Sequence, residues 1–471
     1  METSCEGESR SYLILDLGGN VATTSKPVHA KQLFPASSNL HAAICSNTVA
    51  EMRLTSLLSC AAAFSVSVVA DANSSQPLSS KQILASTFTP PQVFENVNLV
   101  RNVNLEKGYP RETINVVIRN IDSKSQSNYY LPFESDLISR IGGLEVRDKK
   151  DAARPPFKVE VTEYDTERCV CTALRANPML TTCPSSTEFY LVHLSEPLAP
   201  KAELTIGISF AVLSALNPLP DTIDQMASQT VQYVTSAYST SAYKTLKQKT
   251  KLKFPTTNIP DYTVIPNKNA EGNEDPVRQG STFTYGPYDD IPAGASQLVA
   301  VRYDFTKALV HATLLERDIE VSHWGGNLAT EERYWLGNRA AKLKNHFSRV
   351  QWQMTKYANP PSTALKELKM PLKPGSMNPY FTDDIGNVST SRFRSGSREA
   401  LLELTPRYPV FGGWKYSFKV GWDADLKGFL RKVGSGSGYV LKVPFLEGPK
   451  SSEGVEYEKV ELQVILPEGA K

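Results

Sequence analysis

Leu204-Thr205-Ile206-Gly207-Ile208-Ser209-Phe210-Ala211-Val212 alternates large apolar residues with small or polar ones without a break. A period of two places Leu204, Ile206, Ile208, Phe210 and Val212 on one face of an extended strand and their neighbours on the other. The same period recurs in both directions along the chain. Upstream it appears in Ile114, Val116 and Ile118, and again in Val159 and Val161. Downstream it appears in Leu368, Met370 and Leu372, in Phe418 and Val420, and in Val460, Leu462, Val464 and Leu466. Turn residues punctuate these runs, as in Lys107-Gly108-Tyr109-Pro110, Arg154-Pro155-Pro156 and Asn217-Pro218-Leu219-Pro220. The 31 prolines, 27 glycines and 20 tyrosines favour strands and turns over helices. The expected fold is mostly β, with antiparallel sheets packed face to face or a sheet with one covered side.

A chain of 471 residues exceeds what one core usually holds, so two or three domains are expected. The reading places a first β-rich domain at 85–305 and a second at 306–471, with the boundary near 300–312. Asp221 to Gln229 could begin a helix, whereas Thr230 to Val234 is β-branched and aromatic and reads as a strand. The lysine-rich run from Lys244 to Lys253 reads as a solvated strand face rather than a phosphate site. Residues 266–280, rich in Asn, Glu and Gly, read as an exposed loop. The formal charge of +2 offers no basic excess for phosphates, which argues against nucleic acid as a partner.

Residues 1–51 show no apolar periodicity and read as unstructured or as an extension outside the working protein. Met52-Arg53 then precedes the uncharged stretch from Leu54 to Ala70, with small residues at Ala70 and Ala72. That order describes a secretory signal peptide over 52–72, with Met52 as the working start. Beyond it, no apolar run approaches the roughly 20 residues of a membrane helix. Cys169, Cys171 and Cys183 remain downstream of the signal. In an oxidising lumen they fit one disulfide, from Cys183 to either Cys169 or Cys171, with one thiol left over. A zinc site is the alternative, but three thiols lack a fourth ligand and no His lies close in sequence.

Catalytic signatures are sparse. His193, His311, His323 and His346 sit in no metal-ligand pattern. His323 beside Trp324 reads as a packed or hydrogen-bonded residue at a strand end. Gly434-Ser435-Gly436-Ser437-Gly438 matches the nucleophile-elbow pattern literally, yet no His follows it, so it reads as a hairpin loop. Asp383-Asp384-Ile385-Gly386-Asn387 reads as a tight hairpin turn rather than a carboxylate pair for catalysis or calcium. Asn387-Val388-Ser389 and Asn73-Ser74-Ser75 are acceptor sequences for N-glycosylation. Gly412-Gly413-Trp414 should bend the backbone and deliver a large aromatic into a core. No cofactor is expected.

Four longer motifs carry a resemblance: Glu320-Val321-Ser322-His323-Trp324-Gly325, Asp384 to Ser391, Arg407-Tyr408-Pro409-Val410-Phe411-Gly412-Gly413-Trp414-Lys415, and Ile465-Leu466-Pro467-Glu468-Gly469-Ala470-Lys471. Shorter ones are Leu131-Pro132-Phe133, Tyr285-Gly286-Pro287-Tyr288 and Asp290-Ile291-Pro292. Together, in one order over residues 85–471, they resemble the ribophorin I family of the eukaryotic oligosaccharyltransferase, of the fungal type. The resemblance implies two tandem luminal β-sandwich-like domains similar to the non-catalytic β domains of zinc aminopeptidases, without a zinc-binding domain. It implies a type I membrane protein of the endoplasmic reticulum. It further implies a non-catalytic accessory subunit, with glycan transfer to Asn-x-Ser/Thr carried out by a separate multispanning subunit. Implied partners are that catalytic subunit, ribophorin II and the nascent polypeptide. Family members continue past the Ile465–Lys471 motif into more luminal chain and a membrane helix, so membrane attachment would lie in a segment missing from this sequence. The alternatives are a secreted β-sandwich binding module and a metallopeptidase-like hydrolase.

Overall fold

A computed structural model describes residues 88–151, 153–164, 187–267, 274–358, 360–434, 438–451, 453–468 and 470, with short strands at 12–17, 28–30 and 83–84. A seven-stranded sheet organises the first half. Its strands, in chain order, are β1 (Phe94–Asn104), β2 (Arg111–Asn120), β3 (Ile141–Asp148), β4 (Glu203–Val212), β5 (Thr245–Lys253), β6 (Val277–Gln279) and β7 (Thr282–Ile291). In space they lie in the order β6-β7-β5-β1-β2-β4-β3. The alternating residues of β4 behave as the sequence implied: Ile206, Ile208, Phe210 and Val212 are buried while Gly207, Ser209 and Ala211 are not.

Two smaller sheets cover the apolar face. A three-stranded sheet of Gln126–Glu134, Thr187–Leu198 and Lys158–Val161 closes one core with Leu99, Val116, Ile118 and the buried face of β4. A four-stranded sheet that includes Thr230–Ser236 and Leu298–Asp304 closes a second core around Leu252, Phe254, Phe283, Tyr285 and Tyr303. Between them sits a buried ion pair, in which Arg101 donates to both carboxylate oxygens of Glu112 at 2.7 Å. Arg101 also donates to the Ser236 carbonyl and Thr235 Oγ1, and the Tyr233 hydroxyl donates to Glu112. These bonds satisfy charges that would otherwise be costly to bury.

The second half forms an eight-stranded sheet. It contains β8 (Val310–Ser322), β9 (Asn327–Asn338), β10 (Met377–Asp383), β11 (Gly386–Asn387), β12 (Lys415–Asp425) and β13 (Val460–Ile465). A three-stranded sheet of Leu368–Leu372, Ala400–Leu404 and Arg392–Ser395 contributes Leu368, Met370, Leu402 and Leu404 to its core. That core runs from Ala308 to Val464, whereas the first two draw on residues 94 to 309.

Several expectations need correction. Not every ladder is antiparallel: β5 pairs with β1, and β13 with β8, in parallel, because long crossovers bring chain-distant strands together. Asp221 to Gln229 starts no helix; Thr222–Ile223 instead pairs with Lys342–Leu343. A ten-residue helix, Arg349–Ala358, stands where no helix was expected. Among its described side chains Trp352 packs inward, its ring 5.5 Å from Phe411, and the mostly polar ten residues offer only a short apolar pattern. Residues 266–280 are not wholly an exposed loop, since Asp275 is buried and accepts from Asn267 Nδ2 and the Gly286 N–H. Within residues 1–51, Tyr12–Leu17 pairs with Tyr439–Pro444 and Val28–Ala30 with β13. The rest of that stretch, and the 52–72 segment read as a signal peptide, lie outside the described residues.

Candidate functional site

A large cavity, about 1850 Å³, opens between the polar face of the seven-stranded sheet and the second half of the chain. The period of two that buries one face of β4 turns the other face toward this space. Register aligns the exposed face into rows. Lys251 stands beside Asn102, Asn102 beside Thr113, Thr113 beside Ser209, and Ser209 beside Glu145. A second row runs Thr282, Lys253, Asn104, Arg111, Ala211, Gly142. The opposite wall carries Lys373, Arg398, Phe429, Arg431, Phe445 and Leu446. Lys373 lies 3.9 Å over the Phe429 ring and donates to the Gly428 carbonyl. Sequence reasoning had singled out the run containing Lys251 and Lys253 but missed Arg111, Arg398 and Arg431. Those come from three separate elements, and no spacing in the sequence joins them.

The Asp383–Asn387 stretch folds as the expected hairpin, with Thr382 opposite Asn387 and Asp383 opposite Gly386. Asp383 does turn chemistry. Its carboxylate accepts from Arg407 at 2.8 and 2.9 Å, from the Ile385 and Gly386 N–H groups at 3.0 and 3.1 Å, and from the Tyr416 hydroxyl at 3.2 Å. The Arg407 hydrogen bond, with those from the two backbone amides, brings its carboxyl down to about 2. A carboxylate so fully engaged has little capacity left for a proton or a calcium ion. Asn387 is exposed, while Val388 is buried and donates its N–H to the Phe381 carbonyl. The acceptor asparagine therefore stands on a pinned edge facing solvent. Asn73, the other acceptor, and Cys169, Cys171 and Cys183 lie outside the described residues.

The remaining candidates separate. His323 and Trp324 occupy the exposed β8–β9 turn, and Trp324 is 92 % exposed, so the packed role expected of His323 does not hold. His311 is half-buried; burial first, then Arg339, lowers its pKa to about 4. His193 approaches Glu160 at 3.1 Å. Gly434 and Gly438 flank a connection between Leu430–Lys432 and Tyr439–Pro444, and Ser435, Gly436 and Ser437 lie outside the described residues. Of the Gly412-Gly413-Trp414 bend, Phe411 is the fully buried ring, whereas Trp414 is half-buried against Phe347 and Tyr408. Among the described residues, no group of three His, Cys, Asp or Glu side chains could hold a metal ion, and no helix is long and apolar enough to cross a membrane.

The model of the family described as Ribophorin I matches residues 94–471, which takes in every sheet described above apart from the short strands at 12–17, 28–30 and 83–84. The chain belongs to the ribophorin I family. A relative from Schizosaccharomyces pombe, named dolichyl-diphosphooligosaccharide–protein glycosyltransferase subunit 1, is 29 % identical over 395 residues, covering 82 % of this chain and 80 % of its own. Subunit 1B of Arabidopsis thaliana is 29 % identical over 390 residues, covering 82 % and 78 %. Subunit 1 of Caenorhabditis elegans reaches 36 % over 286 residues, 60 % of this ribophorin I family chain and 46 % of its own. Among solved structures, leukotriene A4 hydrolase of Saccharomyces cerevisiae aligns with 49 % of this chain and 32 % of its own, at 12 % identity and a TM-score of 0.28. The zinc metallopeptidase of Deinococcus radiodurans gives a TM-score of 0.25 at 10 % identity over 49 % and 48 %. At such scores the aminopeptidase likeness carries no weight for fold or chemistry, and the β architecture rests on the sheets themselves.

Proposed function

We propose that this chain is an accessory subunit of the oligosaccharyltransferase, the complex that transfers a dolichol-linked glycan to Asn in Asn-x-Ser/Thr of nascent proteins in the endoplasmic reticulum. The observation that carries the reading is the colinear match of residues 94–471 to the family whose curated relatives bear the name of subunit 1. On this reading the chain contributes two luminal β domains, 85–305 and 306–471, makes and breaks no bond itself, and belongs to a type I membrane protein. Its partners are the multispanning catalytic subunit and ribophorin II. Its role is proximity: a surface that holds acceptor polypeptide beside the transferase raises local concentration without chemistry.

Co-purification tests the reading. The tagged protein, expressed in its own secretory pathway, should bring down the catalytic subunit after mild detergent extraction. Secretion of the chain alone, free of the complex, would overturn the proposal in favour of an exported binding module. Asn387, on its exposed edge, is the glycosylation site this reading predicts. Endoglycosidase should shift the mass of the wild type, and Asn387→Gln should remove one such step; an unchanged step would refute the assignment.

A further inference from the structure

We infer that the large cleft binds an extended, acidic polypeptide segment, laid across the strands of the seven-stranded sheet. The argument begins with where the charges of the cleft walls are spent. Four lining carboxylates are met by arginines that do not line the cleft: Glu112 by Arg101, Glu145 by Arg147, Glu456 by Arg339, and Glu447 by Arg317, which it shares with the buried Glu332. The cations are arranged the other way. Lys107, Arg111 and Lys251 on the sheet wall, and Arg398 and Arg431 opposite, are exposed and have no carboxylate or hydrogen-bond partner among the described residues. Against these five, the lining leaves two carboxylates, Glu399 and Glu458, outside any ion pair among the described residues. The lining is therefore net positive, with the excess on the sheet wall, because Glu399 and Glu458 stand on the same wall as Arg398 and Arg431, in a chain whose formal charge is only +2. A cleft lined by one sign between low-dielectric walls focuses its field and selects an occupant of opposite sign.

Shape selects a polypeptide. The volume of about 1850 Å³ exceeds the roughly 300–1,000 Å³ of small-molecule sites. The cations are dispersed over several strands and both walls rather than converged on one point, which suits charges repeated along a chain. The row from Thr282 to Gly142 crosses six strands, about 24 Å at about 4.8 Å per strand, a span that about seven extended residues would cover. Asn102, Thr113 and Ser209 lie in the adjoining row with side chains that can meet a peptide backbone, and Phe429 and Leu446 offer apolar contact from the opposite wall. An extended chain presents side chains alternately to its two sides, so one set can meet the sheet and the other this roof.

This deepens the acceptor-holding reading above and rests on it for its purpose, but its test stands apart from the complex. The purified full chain is titrated against a fluorescein-labelled peptide of about ten alternating Glu and Val residues, a length sufficient for the row. Saturable binding is expected at low salt, falling steeply as ionic strength rises and the Debye length shrinks to a few ångströms. Lys251→Glu with Arg398→Glu should weaken it at least about ten-fold; both residues are exposed, and an unchanged circular dichroism spectrum and Tm would show the fold intact. Equal binding of a Ser-Val or Lys-Val peptide would overturn the inference, as would affinity indifferent to the charge reversals. Binding of inositol hexakisphosphate through these residues without binding of the acidic peptide would also overturn it, reassigning the cleft to phosphate anions. Co-purification is unaffected by any of these outcomes, so failure here is distinguishable from failure of complex membership.

Discussion

Asp383 and Glu332 are both acids held by arginine, yet they should answer to different experiments. Asp383 has a folded-state pKa of about 2, below the roughly 3.9 of an unfolded chain. Its contribution to stability is therefore complete above about pH 4 and is lost as pH falls through 2. Asp383→Asn is expected to lower the urea midpoint at pH 7, and the gap from the wild type should close between pH 4 and pH 2. A gap that persists unchanged at pH 2 would show that the carboxylate charge is not what holds the hairpin. Glu332 is fully buried and bonded to Arg317 and Tyr334; Arg317 also meets Glu447 and faces the Trp422 ring. Glu332→Leu leaves the buried guanidinium with Glu447 as its one carboxylate partner among the described residues and is expected to cost about 3 kcal/mol in urea denaturation, whereas Arg317→Met with Glu332→Leu should recover part of the loss. The sequence reading named Asp383 and assigned it correctly to a turn, because turn residues act on their neighbours. It passed over Glu332, whose partners Arg317 and Glu447 are set by strand pairing rather than by spacing.

At the scale of elements, alternation carried most of the information. The strands β4, β12 and β13 each bury the face their sequence marked. The helix Arg349–Ala358 escaped because it is short and mostly polar, so its amphipathic pattern rests on few apolar residues. The glycine pair after Phe411 was legible as a bend, but its reason was not. A Cβ on Gly412 would lie 2.2 Å from the carbonyl oxygens of both Ala340 and Ala341, so the demand is close passage of two backbones. Gly412→Ala is expected to destabilise by about 3 kcal/mol or more, since neither backbone can move aside without disturbing the Asn338 bonds to the Thr363 and Val410 carbonyls. Thermal melts of Gly412→Ala beside Gly434→Ala, where nothing lies within 4 Å, make the comparison. Equal Tm values would refute it.

Across the whole molecule, the two halves are joined by buried polar bonds as well as by the chain. Gln229 donates to the Phe305 and Lys307 carbonyls and accepts from the Ala341 N–H at 2.7 Å. Arg339 reaches Ser214 and Glu456, while Arg140 donates to the Ser214 carbonyl at 3.0 Å. Gln229→Leu takes this partner from the Lys307 carbonyl and the Ala341 N–H, while the Phe305 carbonyl keeps the Lys307 N–H, at a cost of about 1–3 kcal/mol. Calorimetry should then resolve one transition into two, because the contacts that couple the cores are weakened while the cores are untouched. A single sharp transition at an unchanged Tm would show that the coupling lies elsewhere.

The order of strands and turns, the buried face of each strand and the family to which the chain belongs were all determined by the sequence, because each depends on neighbours along the chain or on motifs kept in order. Only the tertiary structure decided which strands lie side by side and hence which charges meet. Lys251 is legible as a lysine on a strand, but its place opposite Arg398 and Arg431 across the cleft arises from contacts between residues more than a hundred positions apart. Apolar alternation tells a strand which face to bury. It says nothing about what stands across from the face left in water.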